Sequence, residues 1–122
     1  MLYRRYRVLL DSGKTVEKLF VAGAVVQIHD TPGAPFSFNL AVGRGEGREP
    51  IYVNRVGVRR DAPYLGALKR MRPGQQLLCE INIQVSDRLD KDGNPYENLW
   101  LTSFEWGRRP GDGKDAPMEP GF

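Results

Sequence analysis

Tyr52, Tyr96, Trp100 and Trp106 carry large flat rings along a chain whose cations are mostly arginine: Arg4, Arg5, Arg7, Arg44, Arg48, Arg55, Arg59, Arg60 and Arg88, joined by Lys91. Such rings stack on unpaired bases at about 1–3 kcal/mol per base, and guanidinium groups pair with phosphates and also lie flat on bases. The combination suits an unpaired polynucleotide held without regard to its sequence, by contacts that weaken as salt rises.

Each ring also has a packing use. Tyr52, at the start of an apolar run, divides evenly between stacking and packing. Trp100 lies between Leu99 and Leu101, which tilts it toward the core, and Trp106 ends its run where it can cap an apolar interior. Phe36 and Phe38 alternate with polar neighbours beside Leu40 and Val42 and belong to the core. Most of the cations, taken singly, are solvated surface, and only a contiguous stripe would make them a site.

Other chemistries lack their parts. His29 is the only histidine and has no second ligand for a metal, and Cys79 sits on an apolar face where it acts as a small hydrophobe. Asp90-Lys91-Asp92-Gly93 has the look of a calcium loop, but Arg88 and Leu99 occupy its first and twelfth positions, which leaves a hairpin turn. Gly43, Gly45 and Gly47 form a flexible loop without the Lys-Ser/Thr pair of a phosphate cradle. No paired acid and base stands out, so the expectation is a binding protein that needs no cofactor, not an enzyme.

With 122 residues, 40% of them apolar and 27% charged, the chain can build one hydrophobic core and not two. The formal charge is +3, and since residues 110–122 hold one Lys against three acids, the rest of the chain carries 17 basic and 12 acidic side chains. That excess attracts a polyanion without identifying one. The longest apolar stretch, near Leu19 to Val26, is too short to span a bilayer, and the basic N-terminus lacks the apolar core of a secretory signal. A single cysteine agrees with a reducing compartment, and the expected location is cytoplasmic, away from any membrane.

The elements that would position the rings and cations are short and β-rich. Gly and Pro, 23 residues together, separate runs of Val, Ile, Leu, Phe and Tyr. Strands are predicted over 3–10 and 15–26 around a Ser12-Gly13 turn, then over 36–42 and 51–58, the last with Tyr52, Asn54 and Val56 on one face. A two- to three-turn helix is predicted from Pro63 to Met71, stopped by Pro73-Gly74. A strand over 77–85, with Cys79, Ile81, Ile83 and Val85 on its dry face, should join one over 96–106 as a long-looped hairpin. After Gly107 periodicity ends, and 108–122 reads as a mobile tail. Five strands with a helix between the third and fourth, preceded by one extra N-terminal strand, is the succession of an OB-fold. That is an all-β Greek-key barrel whose face and flanking loops take oligonucleotides or oligosaccharides.

Within this frame the sequence resembles the bacterial and phage single-stranded-DNA-binding protein family. The matching pieces are Leu19-Phe20-Val21-Ala22-Gly23-Ala24-Val25, Phe38-Asn39-Leu40-Ala41-Val42, the segment from Tyr64 through Pro73-Gly74 to Leu77, and Asp90 to Tyr96, so the resemblance covers about 18–106. Each piece is common strand and turn chemistry, and the order and spacing carry the likeness. Residues 1–17 are an addition to the family pattern, Ile81 stands where its fourth strand commonly has glycine, and the acidic tip is diluted to Met118-Glu119-Pro120-Gly121-Phe122.

The resemblance implies an extension at 1–17, an OB-fold domain at 18–107 and a tail at 108–122. It implies single-stranded DNA as partner in replication, recombination or repair, and assembly as a homo-oligomer, dimer or tetramer. Glu119 and Phe122 would be the tail residues offered to replication or repair proteins. The rival expectations are an accessory OB-fold protein that binds RNA or serves a primosome, and a protein-interaction adaptor built on the barrel.

Overall fold

A computed structural model describes residues 1–109. The order is β1 (Tyr3–Leu9), β2 (Thr15–His29), β3 (Phe36–Val42), β4 (Ile51–Val58), α1 (Leu65–Lys69), β5 (Gln76–Leu89) and β6 (Pro95–Trp106). The six strands form one sheet in the order β1-β2-β3-β4-β6-β5, and β2 also pairs with β5. That pairing and a short parallel contact between β4 and β6, Val56 with Leu99 and Gly57 with Trp100, close five strands into a barrel. This is the OB-fold with one extra strand.

The barrel closes because β2 is long and pairs with two other barrel strands. Residues 17–24 pair with β5, and 24–29 pair with β3 across a register shift between Val25 and Gln27. Gly23 lies where the strands come close: a Cβ there would sit 2.7 Å from the Ala41 carbonyl oxygen, so no other residue fits without moving backbone. The extra strand β1 runs antiparallel along 15–21 of β2, leaving its own outer edge without a partner among the described residues.

The core follows the period-two alternation. Leu19, Val21 and Val25 of β2, Phe36, Phe38, Leu40 and Val42 of β3, and Leu77, Cys79, Ile81 and Ile83 of β5 all point inward, with Leu68 of α1 closing one end. Three expectations are corrected. Val56 faces the core and not the Tyr52 side, because β4 carries a bulge: Asn54 and Arg55 together oppose Asn39, and the extra residue reverses the side on which the strand continues. Val85 is half exposed, because beyond Ile83 the β5–β6 hairpin projects past the barrel. The predicted helix shrinks to Leu65–Lys69, with turns on either side and no side-chain cap at Tyr64.

The loop between the last two strands is also shorter than expected. Pairing continues to Leu89 opposite Pro95, and the turn is held by Asp90, whose Oδ1 accepts the N–H groups of Asp92 and Asn94, each at 2.9 Å. Asp90 thus caps the turn.

Candidate nucleic-acid interface

The bulge that turns Val56 inward puts Arg55 outward with a left-handed backbone, φ 55°, the one such residue other than glycine among those described. The Asn39 side chain holds it there: Asn39 Oδ1 accepts the Arg55 N–H at 2.8 Å. The same oxygen lies 3.1 Å from His29 Nε2, and since it can only accept, that nitrogen carries the proton. Asn39 Nδ2 donates to Gln27 Oε1 at 3.3 Å. His29 is therefore tied to a backbone-shaping amide, and the outer face of β2, β3 and β4 is organised around Asn39.

Tyr52 stands on this outer face and is 58% exposed, next to the small Ala41 on β3. An aromatic ring with a low neighbour and water above it is available for stacking. The loop before it carries Arg44 and Arg48; Arg44 Nε donates to the Glu49 carbonyl at 2.6 Å, which stiffens the loop base. From Tyr52 to Arg59 the strand covers roughly 20 Å.

Trp100, tilted toward the core by its sequence neighbours, is instead on the outside of the barrel. Its ring lies against Gly57, its Nε1 donates to Gln84 Oε1 at 3.2 Å, and the Arg59 guanidinium lies 5.7 Å from the ring centroid. Leu99 and Leu101 on either side alternate toward the interior. Between β4 and the base of the β5–β6 hairpin the two strands diverge and leave a cleft of about 290 Å³ lined by Asn54, Arg55, Gly57, Asn98, Trp100 and Glu97, whose carboxylate is paired with Arg5. Arg48, Arg55 and Arg59 enter no ion pair among the described residues, so their charge is directed to solvent.

Other expected residues are placed elsewhere. Arg88, Lys91 and Tyr96 are exposed on the projecting hairpin, Tyr96 at 51%. Arg5 is engaged: it bridges Glu17 and Glu97, while Arg7 Nε reaches Glu17 at 2.8 Å. These contacts raise the Arg5 guanidinium pKa, chiefly through the hydrogen bonds to Glu97 and Glu17, and lower that of the Glu17 carboxyl, chiefly through the hydrogen bond from Arg5. They clamp β1 to β2 and to the hairpin. Arg4 is exposed on β1, away from the cleft. Trp106 is at the far end of β6, its edge against Phe104 with centroids 4.9 Å apart, beside α1. Glu119 and Phe122 lie outside the described residues.

Gly57 and a group of three arginines are inconspicuous in the sequence. Gly57 occupies an ordinary-looking strand position, although a glycine inside a strand is the usual sign of a close approach. Arg70, Arg72 and Arg109 gather around Trp106, which their separation along the chain conceals.

The barrel, its inserted helix and its extra N-terminal strand define an OB-fold protein. The same fold is found in crystal structures of the mitochondrial single-stranded-DNA-binding protein Rim1 from S. cerevisiae. A selenomethionine-labelled form matches with a TM-score of 0.58 at 10% identity, over 75% of this chain and 94% of that one. The unlabelled form matches with 0.57 at 10% identity, over 75% and 95%. No protein-family model matches the sequence, and none of the curated proteins does.

Proposed function

We propose that this protein binds single-stranded DNA, stacking bases on Tyr52 and Trp100 and neutralising phosphates with Arg55, Arg59 and the Arg44–Arg48 loop, while the hairpin with Arg88, Lys91 and Tyr96 extends the surface. One observation carries the reading: the exposed Tyr52, the half-buried Trp100 under the Arg59 guanidinium, and Arg55, which with Arg59 has no ion pair among the described residues, lie on the outer side of β4 and β6 beside an open cleft. The shared fold of Rim1, a single-stranded-DNA-binding protein, supports it. The action is stoichiometric and not catalytic, in replication, recombination or repair of a bacterial, phage or mobile-element genome, in the cytoplasm. The outer edge of β1, without a partner among the described residues, supports assembly with further copies by strand pairing.

Titration of labelled poly-dT, poly-U and duplex DNA at two salt concentrations tests the reading. The expected result is binding to poly-dT, weaker at higher salt, with quenching of tryptophan fluorescence. Absence of binding to all three at low salt overturns it, and a preference for poly-U transfers the function to RNA.

A further inference from the structure

We propose that Arg70, Arg72, Arg109 and Trp106 form a second subsite, which takes a nucleotide unit of the same single strand at the opposite end of β6 from the cleft. The inference rests on the single-strand reading above and adds a site to it. These residues line a cavity of about 430 Å³ that shares no lining residue with the cleft. Three arginines line it, and among the described residues no acidic side chain does. None of Arg70, Arg72 and Arg109 has an ion-pair partner among the described residues. Like charges gathered this way repel unless an anion joins them, and planar guanidinium groups suit a phosphate.

The site is built in advance. Gln75, only 5% exposed, lies in the cavity wall, and its Nε2 donates to the carbonyls of Gln76, Gly107 and Arg108 at 2.9, 3.3 and 3.1 Å. Backbone bonds from Gly107 N to the Gln76 carbonyl and from Gln76 N to the Arg108 carbonyl, at 2.7 and 2.8 Å, continue the β5–β6 pairing past the end of β6. The backbone leading into Arg109 is thereby fixed to the barrel. On the other side, Trp106 is set edge-on against Phe104, and Phe104 edge-on against Tyr64, with centroids 4.9 and 5.2 Å apart. The indole remains 47% exposed, which leaves room for a base beside the phosphate. The anion is assigned to a polynucleotide, not to an acidic peptide, because ring and cations occur together as they do at the cleft. Six residues of strand put Trp100 and Trp106 about 20 Å apart at most, a separation one strand can bridge.

The test uses the Trp100→Phe variant, in which Trp106 is the only tryptophan, and oligo-dT from about 4 to about 16 nucleotides. Longer oligonucleotides should quench Trp106. Adding Arg72→Glu and Arg109→Glu should abolish that quenching, reduce affinity for the longest strand about tenfold and lower its salt slope by about 2, one for each phosphate left without its arginine. Lys14→Glu, a charge reversal in a remote turn, should leave the quenching in place, and circular dichroism verifies that each variant is folded. If the longest strand binds but Trp106 is silent, or if Arg72→Glu/Arg109→Glu binds it as tightly as the parent does, the subsite is refuted while the main reading stands. Binding of an acidic peptide at the same place would not rescue it. If the unaltered protein binds no strand, both fall.

Discussion

The Trp100 ring rests on the backbone of Gly57: a Cβ at that position would lie 3.0 Å from ring atoms Cε3 and Cζ3 and 3.2 Å from the Leu99 carbonyl oxygen. The glycine thus makes the seat on which the proposed platform lies, at the one place where β4 and β6 meet in parallel. Gly57→Ala should tilt the indole away from Gln84 and Arg59, lowering stability by about 1–3 kcal/mol through overpacking and weakening single-strand binding as well. Urea denaturation and an oligo-dT titration read the two effects. Trp100→Ala, which empties the seat, should weaken binding by about 1–3 kcal/mol.

Tyr52 has little to lose structurally. Its side chain is mostly in water, so Tyr52→Ala should change stability by about 0.5 kcal/mol or less while weakening single-strand binding by about 1–3 kcal/mol. An unchanged affinity in a folded variant would return Tyr52 to the ordinary surface.

Arg55 separates fold from function most sharply. A side chain held at φ 55° costs free energy that glycine avoids, so Arg55→Gly should raise stability by about 0.5–1 kcal/mol. The same change removes a cation from the track and should lower the salt slope of binding by about 1. A variant that is more stable and binds equally well would deny Arg55 its role.

The clamp on β1 gives an acid dependence. The hydrogen bond from Arg5 holds the Glu17 carboxyl below its ordinary range, so the stabilisation is complete above about pH 4.3, where the unfolded carboxyl is already ionised. It is lost as pH falls through the lowered native value. The stability difference between the natural protein and Glu17→Gln should therefore be largest near neutrality and shrink in acid, as read by urea midpoints across a pH series.

Cys79 is fully buried on β5, and burial pushes its thiol up to about 12. The folded protein should resist a thiol reagent at about pH 8 and react stoichiometrically once unfolded in urea. Because the unfolded thiol ionises near pH 8.5 and the folded one does not, this group's contribution to stability should decline as pH rises from there toward 12.

Local chemistry was sufficient for much of this protein. Ser12-Gly13, Pro32-Gly33 and Lys91-Asp92-Gly93 mark turns, and alternation in 36–42 and 77–83 identifies the core face, because period-two patterning is read within one strand. The order of elements was enough for the OB-fold. What tertiary structure alone decided is the side on which particular residues emerge. The bulge at Asn54–Arg55 reverses Val56, and the contact with Gly57 settles Trp100 on the surface despite its leucine neighbours. The ion pairs of Arg5 withdraw it from the candidate phosphate ligands, and barrel closure gathers Arg70, Arg72 and Arg109 around Trp106. Sequence patterns record which residues prefer water, but a bulge shifts parity by one. Contacts between distant strands then determine which cations meet an acid and which are left to meet a ligand.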